Sequence, residues 1–321
     1  MSRTRTLTEL VEAMRSFQES RTLLTAVELD IFGAVQAGAS AMEVAERCNT
    51  NPRATAMLLD ALVALGALLK REDVYHCTRE SATLAQARTG LMHTVHLWKT
   101  WSGLTSCVEN GKPAAARGPE AFPPEQTRAF IAAMHNRARE AAEEILHLVP
   151  VQGALRMLDV GGGSAAFSIA FASHCPELQA EVLDLEAVLP IAEEHIRQAG
   201  LEARVKVRAG EMLSSDLGQD HDLVLLSAVL HMFGEEDCQR LILRSAEALK
   251  PGGRLIIREF ILEEDRTAPT FAALFALNML VGTEHGNTYT ESQYREWMGE
   301  AGLVDISRPD PDGDVLVGLK P

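Results

Sequence analysis

Apolar residues in the first third of the chain recur at one-turn intervals: Leu7, Leu10, Val11 and Met14, then Leu23, Leu24, Val27 and Ile31. That spacing gathers them on one face of a helix and predicts amphipathic helices whose stripes need a partner surface. Ser40 can cap a helix running through Cys48. Asn51 caps another that carries Pro52 in its first turn, where a missing N–H costs nothing. Met57, Leu58, Ala61, Leu62 and Leu65 supply the expected buried face of that second helix, and Gly66 ends it. Leu68 to Cys77 reads as two short strands around a charged turn, so helix, turn, helix and hairpin predict a winged-helix unit. Residues 91–110, with Trp98 and Trp101, predict a further helix. A Gly/Pro-rich irregular connection follows, and residues 125–147 predict a bridging helix.

From residue 154 the period changes. Short apolar runs at Leu155–Val160, Ala180–Leu183, Arg204–Val207, Asp222–Ser227 and Arg254–Glu259 alternate with helical patterns at Ala165–Ser173, Leu189–Ala199 and Glu235–Leu249. Strands that are apolar throughout and separated by helices predict an α/β fold with a mainly parallel sheet covered on both faces. Residues 1–110 are accordingly expected as a helical, winged-helix-like domain, 111–150 as linker and bridging helix, and 151–321 as the α/β domain. Ala268 to Val281 contains no charge and predicts a buried helix.

Composition narrows the function. A chain of 321 residues with 46% apolar content is long enough for two cores. A net charge of -15 disfavours phosphate backbones, and the winged-helix segment itself is nearly balanced, so nucleic-acid binding is not expected. The N-terminal stretch lacks a signal-peptide core and no apolar run is long enough to span a bilayer, which predicts no membrane association and a cytoplasmic location. Five scattered cysteines without CxxC spacing fit reduced thiols, and dispersed histidines predict no metal site.

The chemistry sits at the strand ends. Leu158-Asp159-Val160-Gly161-Gly162-Gly163-Ser164-Ala165 falls where a strand passes to a helix, and glycines there let the backbone turn sharply and approach a ligand. It lacks the GK[ST] ending of a phosphate loop and the G-x-G-x-x-G spacing of a dinucleotide fingerprint. Asp184 ends the next strand, where a carboxylate can accept both hydroxyls of a ribose. Gly210-Glu211-Met212 ends the third, offering an acid and an apolar cover for adenine. His231 lies just beyond the fourth strand, and a neutral imidazole there can take a proton from an acceptor hydroxyl. Trp98, Trp101, Met232, Phe275 and Met279 are candidate walls of an acceptor pocket, with Asn278 and His285 as polar hooks.

LRMLDVGGGSAAFSIA, VLDLEAVLP, RAGEML, LLSAVLHMFGEEDCQRLI, LKPGGRLIIREFIL and YTESQYREWMGEAGL together resemble the S-adenosylmethionine-dependent O-methyltransferases that carry an N-terminal dimerisation domain. The resemblance implies a Rossmann-like class I methyltransferase domain and a homodimer made through the winged-helix-like domain. It implies a small, aromatic or polycyclic acceptor, and S-adenosylmethionine held by Asp159, Gly161, Gly163, Asp184, Glu211, Met212 and Ser227. It implies His231 as the base and Glu259 as its brace. Relatives usually carry Asp and Trp after the histidine, where this chain has Met232 and Phe233. A second bracing acid is expected where Thr288 stands, and many relatives have Gly at Ala165. Loss of the acid after His231 leaves carbon methylation and a decarboxylase or hydroxylase reaction as alternatives, and the helix-turn-helix-like segment from Ser40 to Cys77 leaves a DNA-binding regulator as another.

Overall fold

The computed structural model describes residues 4–114 and 122–321, which divide into two compact units, Met1–Lys99 and Thr100–Pro321. The division falls within the domain expected over 1–110, and residues 111–150, expected as linker and bridging helix, fall within the second unit. Residues 115–121 of the Gly/Pro-rich connection lie outside the described residues.

In the first unit, α1 (Leu7–Arg15) and α2 (Phe17–Glu28) lead to a short α3 (Ile31–Ala34), β1 (Ala39–Ser40), α4 (Ala41–Cys48), α5 (Pro52–Ala64), β2 (Leu68–Arg71), β3 (Val74–Cys77) and α6 (Ala82–Trp101). Ser40 accepts from the Glu43 N–H while the Glu43 carboxylate accepts from the Ser40 N–H, a capping box that starts α4. Asn51 caps α5 through the Ala54 N–H, with Pro52 in the first turn. The wing pairs antiparallel, and β1 joins it as a third strand too short to show in the hydrophobic pattern. Val27, Ile31, Phe32, Leu59, Leu62, Tyr75 and Val95 form the core. The expected buried face of α5 is rotated: Thr55, Leu59 and Leu62 are buried, whereas Met57 and Leu65 are exposed. The predicted 91–110 helix is in fact the end of α6, a break at Ser102-Gly103, and then α7 (Leu104–Asn110), because the helical pattern already starts at Ala82.

The second unit continues with α8 (Pro124–Leu148), β4 (Arg156–Val160), α9 (Ala166–His174), β5 (Gln179–Asp184), α10 (Leu189–Gln198), β6 (Val205–Ala209) and β7 (His221–Ser227). It then adds α11 (Glu235–Ala248), β8 (Leu249–Arg258), α12 (Thr270–Gly282), α13 (Glu291–Glu300), β9 (Val304–Ser307) and β10 (Val315–Leu319). Its sheet runs β6-β5-β4-β7-β8-β10-β9, with β4 to β8 parallel and β10 antiparallel to both its neighbours. Alternate residues of each central strand enter opposite layers. Met157, Leu223, Leu225 and Ile256 pack under α8, α9 and α10, while Leu158, Val160, Val224, Leu226 and Ile257 pack under α11 and α13. Both faces are covered, which explains the unbroken apolar runs. The uncharged helix α12 departs from its expected burial: Ala272, Met279 and Val281 are buried, but Phe271 and Leu274 are about half exposed.

Candidate active site

Strand order reverses between β4 and β7, since β5 and β6 follow β4 to one side and β7 and β8 lie on the other. Parallel sheets leave a crevice at such a switch point, beyond the carboxyl ends of the strands. The ends of β4, β5, β6, β7 and β8 carry, in turn, the glycine loop, Asp184, Gly210-Glu211-Met212, Ser227 and Glu259.

The glycine loop is shaped for close approach. Gly161 has φ 69° and Gly163 φ 57°, left-handed conformations that favour glycine. A side-chain carbon on Gly161 would lie 2.7 Å from a Val229 methyl and 3.1 Å from the Met212 methyl, so Gly161 and Met212 share one crevice. The Asp184 carboxylate accepts the Gly163 N–H at 2.8 Å on one oxygen and the Leu185 N–H at 2.7 Å on the other. Burial pushes its pKa up against those two hydrogen bonds. Each oxygen keeps a lone pair for a further donor such as a ribose hydroxyl. Asp159 is placed differently from its expected ligand role. It lies under the loop, buried, with its carboxyl accepting the Ser168 hydroxyl at 2.8 Å and crowding the place of any Gly162 side chain. Glu211 is exposed and folded onto its own turn, accepting from the Leu213 N–H and the Ser214 hydroxyl. The Ser227 Oγ is buried and has no hydrogen-bond partner among the described residues. An orphaned hydroxyl, a cradle closed to side chains and a carboxylate with spare lone pairs fit an adenosyl cofactor.

On the other side of the crevice, His231 sits in a short 3-10 turn, Leu230–Met232. Its Nδ1 lies 2.9 Å from Glu259 Oε2, and both side chains are buried. Glu259 also accepts the N–H groups of Leu230 at 2.8 Å and His231 at 3.3 Å, so one carboxylate orients both the ring and the turn that carries it. Burial alone would raise the Glu259 pKa, but the neighbouring His231 and the hydrogen bonds hold it below the ordinary carboxylate value. Phe275 meets the His231 ring edge-on at 4.9 Å and Phe260 stacks beside it at 5.5 Å. Thr288 does not replace the missing acid: its hydroxyl donates to the Ala272 carbonyl of α12.

The expected acceptor residues divide. Met232 adjoins His231 in the turn, and Met279 is buried on the helix that carries Phe275. The Asn278 side-chain amide oxygen accepts the Trp101 indole N–H at 2.8 Å, which consumes one of that side chain's hydrogen-bonding groups. His285 is exposed beside Gly234. Trp98 belongs to the first unit, where the Arg21 guanidinium lies 5.7 Å over its ring.

The groups that hold the turn carrying His231 leave no pattern in the sequence. Tyr289 donates its hydroxyl to the Phe233 carbonyl at 2.6 Å, and the Asn287 N–H donates to the His231 carbonyl at 2.9 Å. The Cys238 thiol donates to the Leu230 carbonyl at 3.1 Å, and burial pushes that thiol up to about 12, so it stays a donor. Arg244 fastens the Met212 turn through the carbonyls of Met212 and Ser215.

Comparison with known proteins agrees with this geometry. Residues 104–304 match the O-methyltransferase domain family, and residues 11–87 match the O-methyltransferase dimerisation domain family. The chain belongs to the S-adenosylmethionine-dependent O-methyltransferases with an N-terminal dimerisation domain. The 3-hydroxy-5-methyl-1-naphthoate 3-O-methyltransferase of Streptomyces sahachiroi is 30% identical over 98% of this chain and 95% of its own. The N,N-dimethyltransferase OxyT of Streptomyces rimosus is 30% identical over 92% of this chain and 90% of its own. The structure of PigF with SAH, a protein of Serratia, superimposes with a TM-score of 0.90 at 25% identity, covering 98% of this chain and all of that one. As a member of this family the chain is an S-adenosylmethionine-dependent methyltransferase with a winged-helix dimerisation domain.

Proposed function

We propose that this methyltransferase acts on a hydroxyl oxygen of a small aromatic or polycyclic acceptor, with His231 as general base. The observation that carries the reading is the 2.9 Å contact between His231 Nδ1 and Glu259. A carboxylate at Nδ1 favours the tautomer that donates there, which leaves Nε2 as the ring's proton acceptor. S-adenosylmethionine, when bound, supplies an electrophilic methyl group on a sulfonium. Gly161, Gly163, Asp184, Met212 and Ser227 are the residues proposed to hold it, and Asp159 to support the loop from beneath. His231 takes the hydroxyl proton as the acceptor oxygen attacks, and Glu259 stabilises the resulting imidazolium. Phe260 and Phe275 offer ring surfaces to an aromatic acceptor beside that nitrogen.

The N-terminal domain is proposed to join two copies of the chain. Helix α1 buries none of its residues, and Leu7 and Met14 remain 77% and 72% exposed on its stripe. A partner stripe from a second copy satisfies that surface.

The test incubates the protein and methyl-labelled S-adenosylmethionine with hydroxynaphthoates, simple phenols and arylamines. A labelled aryl methyl ether supports the reading. Label found only on carbon or nitrogen overturns it.

A further inference from the structure

Helix α8, which the proposed chemistry does not use, runs beside the glycine loop. Its Ile131 lies 3.8 Å from where a side chain on Gly163 would begin, and it shares a buried cluster with Val188 and with Ile191 of α10. His135 and His195 each stand four residues further along these helices and therefore on the same faces. Their rings stack at 4.0 Å with an interplanar angle of 15°. His135 Nδ1 shares a 2.9 Å hydrogen bond with the Ser164 hydroxyl. Ser164 is buried and directly follows Gly163, whose N–H is the one donated to Asp184.

We propose that His135, braced by His195, is a positioning residue for the cofactor: by holding Ser164 it fixes the Gly163 peptide and thereby sets the affinity for S-adenosylmethionine and its demethylated product. A loop of three glycines has more backbone freedom than any other sequence and must lose it when the ligand binds. The loop's other ties are made by its backbone, Gly161 N–H to the Leu183 carbonyl at 2.7 Å and Gly163 N–H to Asp184. Ser164 adds a side-chain anchor to α8. Face-to-face imidazoles tolerate this spacing when they are uncharged. Burial, then His195 and then Arg139 lower the His135 pKa to about 4. Burial also lowers that of His195, against the raising influence of Glu194, which is itself paired with Arg128 at 3.7 Å. The clamp therefore stays neutral and closed throughout the neutral pH range.

The experiment is calorimetric titration of the full chain with S-adenosylhomocysteine, with circular dichroism to confirm folding. His135→Ala and Ser164→Ala are each expected to weaken binding about tenfold, the scale of one lost hydrogen bond. The double variant should bind no worse than either single one, because both remove the same contact. His135→Asn, whose amide can take the place of Nδ1, should recover most of the affinity, and His195→Phe should keep it by preserving the stack. Backbone amides of residues 161–164 should exchange faster in Ser164→Ala than in the wild type. Wild-type affinity in a folded Ser164→Ala protein overturns the proposal. So does a His135→Asn variant as weak as His135→Ala, or independent, additive losses in the double variant.

Discussion

His231 Nδ1 faces the Glu259 carboxylate at 2.9 Å in a place that water scarcely reaches. Because Glu259 is held below the usual carboxylate range, it stays ionised, and the proposed proton transfer falls to the imidazole. His231→Ala should slow single-turnover methyl transfer by roughly 10²- to 10⁴-fold while leaving S-adenosylhomocysteine affinity unchanged. The deficit should shrink as pH approaches the acceptor's own hydroxyl pKa. Equal rates for wild type and variant at neutral pH count against the base. Glu259→Gln should slow transfer less than His231→Ala, and the double variant should match His231→Ala alone. Asp159 offers a different test, because burial above all raises its pKa to about 7. Between roughly pH 4 and 7 the folded chain keeps a proton there that the unfolded chain has released, so this group's stabilising contribution is lost as pH rises through 7. Asp159→Asn should therefore raise the melting temperature relative to wild type at pH 8 and by less at pH 5. An offset independent of pH refutes that assignment. Gly161, Asp184 and His231 were legible in the sequence because type and strand-end position together define them. Tyr289, Cys238, Arg244 and Ser164 were not, because their partners are distant in sequence and a single hydrogen bond leaves no periodic trace.

At the scale of elements, the turn that carries His231 is gripped by neighbours that have no room to spare. A side-chain carbon on Gly286 would lie 2.5 Å from the His231 carbonyl oxygen and 3.1 Å from that of Met232. Gly286→Ala must push the turn away from Asn287 and strain its contact with Glu259. The expected cost is about 1–3 kcal/mol of stability, with a larger fall in turnover than in cofactor affinity. Thermal melts and single-turnover rates measure both, and a variant of unchanged stability and rate shows that the turn can yield. The first four expected strands were readable to within a residue or two because both their faces are buried, leaving continuous apolar runs between polar loops, whereas β8 begins at Leu249, ahead of its apolar run, and the antiparallel edge strands β9 and β10 were not read. Helix α12 was harder: an uncharged helix reads as buried, yet Phe271 and Leu274 lie about half exposed. Periodicity ranks faces by hydropathy and cannot distinguish a face covered by the core from one left for a ligand or a second chain. The same ambiguity rotated the expected face of α5.

For the molecule as a whole, the exposed stripe on α1 is the feature a single chain explains least. Thr6 and Glu9 form a capping box that starts this helix, yet no residue of the helix is buried, and Leu10, Val11 and Met14 remain 43%, 36% and 72% exposed. Helices this short are marginal in water without a packed face, so a second surface has to account for the stripe. If that surface belongs to another copy, replacing Leu7, Leu10 and Met14 together with Glu places like charges across the contact and leaves the cofactor crevice untouched. Light scattering should then report a shift from dimer to monomer, and calorimetry should report unchanged S-adenosylhomocysteine affinity. Methyl transfer should fall if the acceptor pocket depends on the paired state, which separates assembly from cofactor binding. Removing residues 1–35 should have a harsher effect and yield insoluble or inactive protein, because Val27 and Ile31 belong to the first unit's core as well as to the segment removed. The triple variant is therefore the cleaner probe. If it remains a dimer with full activity, α1 is not the joining surface, and its apolar stripe calls for a different partner.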